Sequence, residues 1–126
     1  MMKKAVIVVG KHYVGKSKTI NNHLKPKLKI GKRKHKFSRN GQEGFILSQS
    51  FEEAGRDVDF VVSNYSHYEL LVLSARPANE STSCLDEAES KLKKAGYQVN
   101  MVYVSKTTDN MHYDDKADEI IKYLDK

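Results

Sequence analysis

The stretch that most constrains this chain is AVIVVGKHYVGKSKTI, residues 5–20. Five consecutive apolar residues, Ala5 to Val9, run into Gly10, and four residues then separate Gly10 from Gly15-Lys16-Ser17. That is the spacing G-x-x-x-x-G-K-[ST], with an apolar strand in front and a helix expected behind. An unbroken apolar run suits a strand covered on both faces, which belongs in a parallel sheet. Gly10 permits a sharp turn out of the strand. Gly15 has no Cβ, so an anion can come close to the backbone and the loop N–H groups can converge on it. A helix beginning near Gly15 adds its unpaired first-turn amides and the positive end of its dipole. Lys16 then reaches β- and γ-phosphates as a point charge, and the Ser17 hydroxyl is set to ligate Mg²⁺. The candidate phosphate-binding residues are Gly10, Lys11, His12, Tyr13, Val14, Gly15, Lys16, Ser17 and Lys18, with Lys16 as the catalytic candidate and Ser17 as the metal ligand.

This segment resembles the Walker A loop of the P-loop NTPases. The resemblance is specific over residues 5–20 and offers only an order of elements for the rest. It implies a P-loop nucleoside triphosphate hydrolase-like fold: a three-layer α/β/α sandwich with a mainly parallel sheet. It also implies a nucleoside triphosphate ligand (ATP or GTP) with Mg²⁺, ATPase or small-kinase chemistry, and the Leu70–Leu73 strand beside the Val6–Val9 strand. In such proteins the strand corresponding to Glu69–Ser74 usually ends in Asp; here it ends in Ser74. A serine can hydrogen-bond a metal-bound water but brings no negative charge to the ion. The departure favours nucleotide binding over efficient hydrolysis. No N-K-x-D guanine signature is present, which gives ATP a mild preference over GTP.

At 126 residues, one domain spanning 1–126 with a real core is expected. A single cysteine, Cys84, excludes an internal disulfide and suits a reducing compartment. Met1-Met2-Lys3-Lys4 followed by five apolar residues is too short for a signal h-region or a membrane span, so a cytoplasmic protein without membrane association is expected.

The net charge of +6 conceals an asymmetry. Residues 1–42 carry 13 of the 22 Lys and Arg and no Asp or Glu; from Glu43 onward the balance is −7. Residues 25–44 form a basic excursion whose part KPKLKIGKRKHKFSR, residues 25–39, contains eight Lys or Arg. Three readings stay open for it: a solvated edge, a site for an anionic acceptor or nucleotide, and a nucleic-acid contact. Phe37 is the only aromatic in residues 25–39, so base stacking is thinly supplied. Leu28 and Ile30 alternate with Lys27 and Lys29 as in a half-exposed strand, and alternation resumes from Lys34 to Ser38. Asn40-Gly41 signals a hairpin turn into a short strand, Phe45–Ser48.

The first helix is expected from Gly15 to about Leu24, stopped by Pro26. Ser50-Phe51-Glu52-Glu53 is a capping box opening a second helix whose inner face includes Val58, Val61, Val62 and Tyr65. Asp57 and Asp59 are read as solvent-facing charges. Arg76 lies on the rim where a phosphate would sit. Ser81 to Ser83 cap a third helix with a stripe of Leu85, Ala88, Leu92 and Ala95, ended by Gly96. Val99–Val104 is a third buried strand. A last helix starts at Asp114 or Asp115, with Ala117, Ile120, Ile121 and Leu124 inside. The five histidines, His12, His23, His35, His67 and His112, fall in no metal-ligand spacing.

Overall fold

The computed structural model describes residues 3–10, 16–31, 33–47, 58–77, 84–105 and 110–125. Strand β1, Lys3–Val9, is followed by a continuous helical stretch, α1, built from Lys16–Lys18, Thr19–Leu24 and Lys25–Lys27. A hairpin of β2, Lys36–Arg39, and β3, Gln42–Ile46, comes next. Then follow α2, Val58–Tyr65; β4, Leu70–Ala75; α3, Leu85–Lys94; β5, Tyr97–Tyr103; and α4, Asn110–Asp125. The strands form one sheet in the order β2-β3-β4-β1-β5. Strand β1 is parallel to both β4 and β5, β3 is parallel to β4, and among the described residues only the β2–β3 pair is antiparallel. The chain is therefore α/β with a mostly parallel sheet, and Val6 lies opposite Val72 as expected.

Because side chains alternate across a strand, the apolar runs divide between two cores. Ala5, Ile7, Val9, Leu71, Leu73 and Ala75 meet Val58 and Val61 of α2 and Leu85, Ala88 and Leu92 of α3. Val6, Val8, Leu70 and Val72 meet Ile20 and Leu24 of α1 and Tyr113, Ala117, Ile120 and Leu124 of α4. Ile7, Val6, Leu71 and Ile120 are fully buried in them. Helices thus cover both faces of the sheet.

Several expectations shift. Pro26 does not stop α1, which continues to Lys27. Residues Thr19–Leu24 are wound as a π-helix, and the Lys25 N–H donates to the Ile20 carbonyl. A wider turn takes the carbonyl four residues back off the path of the proline ring, so the helix passes Pro26 before ending. Lys29, at φ 62°, then turns the chain. Residues 28–30 are accordingly a turn, not the alternating strand expected there. Their alternation reflects Leu28 packing into the core below α1.

The hairpin turn lies where Asn40-Gly41 predicts it. Arg39 pairs with Gln42, and Asn40 and Gly41 have φ of 53° and 77°, the two left-handed residues of a tight two-residue turn. Strand β3 begins three residues earlier than expected. Strand β5 forms an outer edge of the sheet, so it is only partly buried and Tyr103 is exposed. Helix α4 starts at Asn110, ahead of Asp114. Gly96 ends α3 with φ 97°, as its position requires. The capping box at Ser50 to Glu53, Asp57 and the caps at Ser81 to Ser83 lie outside the described residues.

Candidate functional site at the carboxyl edge of the sheet

The carboxyl ends of β4, β1 and β5 lie side by side. The Gly10 N–H donates to the Ala75 carbonyl at 3.2 Å, and the Val104 N–H donates to the Val9 carbonyl at 2.8 Å. These bonds carry the sheet ladder one residue past each strand and fix where β1 releases the chain. Lys16 opens α1 at this edge and is almost wholly buried. Its ammonium donates to the carbonyl of Gly10. The two ends of segment 11–15 are therefore tied together by the side chain that the sequence singles out. Lys18, one helical step on, is exposed, with its ammonium 4.9 Å from the centre of the Tyr113 ring. Lys11, His12, Tyr13, Val14 and Gly15 lie outside the described residues, as does the Ser17 side chain.

Ser74 is the next-to-last residue of β4, opposite Val8 in register, with Ala75 ending the strand in place of the expected Ser74. Alternation puts it on the face shared by Leu70 and Val72, the face that carries α1. It is 1% exposed, and its hydroxyl has no hydrogen-bond partner among the described residues. A buried hydroxyl without a partner among the described residues costs stability, so it is a feature of this edge that their packing does not explain. Arg76 follows at the rim, half-buried. On the β5 side the Ser105 N–H donates to Nε2 of His112 at 3.2 Å, which puts the proton of a neutral His112 ring on Nδ1.

A second group of titratable residues joins α1 to α4. Lys27 reaches Asp118 at 3.0 Å and Asp114 at 3.2 Å, and His23 Nδ1 lies 3.4 Å from Asp114. Hydrogen bonding to Asp118 and Asp114 raises the Lys27 pKa, and the bond from Lys27 lowers that of Asp114. Asp114, Asp115 and Asp118 could converge on a cation. Asp114 and Asp118 are already answered by Lys27, so the cluster reads as an interhelical clasp. Sequence spacing missed the His23–Asp114 pair because its members are 91 residues apart.

Lys25 is the other residue sequence reasoning misread. It belongs to the basic run, yet it is fully buried, and burial lowers its pKa. The signal that could have revealed it is helical phase: Lys25 follows Leu24 on α1, next to the inward stripe.

No family model, curated protein or solved structure matches this chain.

Proposed function

We propose that this chain binds a nucleoside triphosphate, with ATP preferred over GTP, at the carboxyl edge of the sheet, and hydrolyses it slowly or not at all. The observation that carries the reading is Lys16 of the G-x-x-x-x-G-K-S sequence. It is buried at the start of a helix, with its ammonium on the carbonyl of Gly10, the residue that follows a parallel strand. In this reading Lys16 and the N–H groups of residues 10–17 hold the phosphates, and Ser17 holds Mg²⁺. The residues present fit such a metal in one further respect: the orphaned Ser74 hydroxyl lies on the α1 face of the adjacent strand. Mg²⁺ would neutralise phosphate charge there. Ser74 contributes a neutral hydroxyl to that environment, and this supports binding over rapid turnover.

Titration calorimetry with ATP, GTP and their diphosphates, with and without Mg²⁺, tests the reading. Micromolar binding that needs Mg²⁺ and weakens about 10- to 100-fold in Lys16→Ala is expected, the range for losing a charged hydrogen-bond donor. Equal binding in Lys16→Ala, or none in the parent at millimolar triphosphate, would overturn it. Product formation measured alongside separates a slow enzyme from a pure binder.

A further inference from the structure

The eight cations of residues 25–39 have different fates. Lys25 is buried inside. Lys27 is committed to Asp114 and Asp118, and Arg39 to Asp125, with bonds of 2.5 and 2.9 Å from its guanidinium. Lys32 lies outside the described residues. Lys29, Arg33, Lys34 and Lys36 remain; all four are exposed, and among the described residues no carboxylate pairs with any of them. They do not scatter. Together with His35 and Phe45 they line a groove of about 650 Å³ along the outer edge of the sheet, and among the described residues no carboxylate lines it.

The shortage of aromatics seen in the sequence is reversed by the fold. Phe37 turns inward, but β3 brings Phe45 to the groove. Its ring stacks on His35 at 5.8 Å and on Tyr65 at 4.7 Å, and Tyr68 lies 5.2 Å away. A row of unanswered cations beside supported ring faces suits a ligand with regularly spaced phosphates and accessible base faces. A duplex hides those faces; a single strand exposes them. The groove lies at β2, three strands from β1 or about 14 Å across the sheet, so it is displaced sideways from Lys16, although antiparallel β2 begins at the carboxyl end of β3.

We propose that this edge is a binding surface for single-stranded nucleic acid, with Lys29, Arg33, Lys34 and Lys36 on the phosphates and the His35–Phe45 pair as the stacking platform. The proposal does not rest on nucleotide binding at Lys16. Four phosphate contacts give a slope of log affinity against log salt of about −3, so binding should fall about 50-fold between 50 and 200 mM salt.

The test is fluorescence anisotropy of the full chain with a labelled mixed-sequence 20-mer, as DNA and as RNA, with the matching duplex and heparin as competitors. Either single strand binding with that slope, with duplex and heparin as weaker competitors, is the expected result. Substituting Lys29, Arg33, Lys34 and Lys36 together by Gln should leave less than a tenth of the affinity and flatten the slope. Lys34→Glu alone should weaken binding severalfold, should the fourfold variant not fold. Lys94→Gln, at an exposed lysine of α3 outside the groove, should bind as the parent does. A flat salt response, unchanged affinity in the Gln variant, loss of binding in Lys94→Gln, or duplex or heparin competing as well as the single strand would overturn the proposal.

Discussion

Two regions of this molecule handle lysine in opposite ways. At the carboxyl edge Lys16 is buried and tied to the Gly10 carbonyl, beside strands that carry little but apolar side chains. At the β2 edge Lys29, Lys34 and Lys36 are exposed and, among the described residues, make no ion pair, although Glu43 lies on the same face of the hairpin as Lys36. The same side chain is a fixed donor in one place and part of a diffuse field in the other. A buried ammonium gives directional, weakly screened bonds, whereas exposed charges act together and fade with salt. The two proposals rest on this difference: a single small polyanion at one edge and a long one at the other.

The contrast can be broken by substitution, and the largest effect should come from the interior. Ile7→Ala, in the buried core under the carboxyl edge, is expected to cost about 2–5 kcal/mol in chemical denaturation. A cost below 1 kcal/mol would mean that β1 is not packed as the rigid centre of the sheet. At the outer edge Gly44→Ala should cost about 1–3 kcal/mol. A Cβ there would meet the Phe37 ring at 2.3 Å, and Phe37 is register-paired with Gly44 across the hairpin. If the variant unfolds like the parent, the ring is not packed over that glycine and the hairpin is looser than described.

Ser74→Ala sharpens the comparison from the other side. Removing a buried hydroxyl that has no partner among the described residues should stabilise the fold by about 1 kcal/mol while weakening Mg²⁺-dependent triphosphate affinity. A loss of stability would show that the hydroxyl has a structural partner. The smallest effect belongs to the clasp. Lys27→Met should cost no more than about 1 kcal/mol, because its pairs with Asp114 and Asp118 are partly exposed.

One pH effect lies near neither edge. Tyr97 donates its hydroxyl to the Tyr68 carbonyl at 2.6 Å, and burial pushes its pKa up to about 12 from an ordinary 10. A folded-state pKa above the unfolded one means that the contribution to stability is complete below pH 10 and is lost as pH rises towards 12. Denaturation midpoints should fall across that window, and less steeply in Tyr97→Phe.

Much of the carboxyl edge was legible in residue order. The apolar runs Ala5–Val9 and Leu70–Leu73 specify buried parallel strands, and Gly10 marks where β1 ends. Asn40-Gly41 fixes the hairpin because few other dipeptides accept two left-handed residues in succession. What could not be read depends on contacts between distant segments. Helix α1 outruns Pro26 through a π-wound turn, which propensity rules do not anticipate. The basic run looked uniform until the fold buried Lys25, committed Lys27 and Arg39 to carboxylates of α4, and left four others beside Phe45. Strand β5 looked fully buried from its composition, yet it lies at a sheet edge, a place set by topology.

The most direct measurement is an amide NMR titration of the isotopically labelled chain with Mg²⁺-ATP. Saturable shifts at Gly10, Lys16, Ser74, Arg76 and Ser105, with Lys29 to Lys36 unmoved, are predicted. Shifts confined to Lys29 to Lys36, or an unresponsive Gly10 and Lys16 at millimolar nucleotide, would contradict the claim that the carboxyl edge is the triphosphate site.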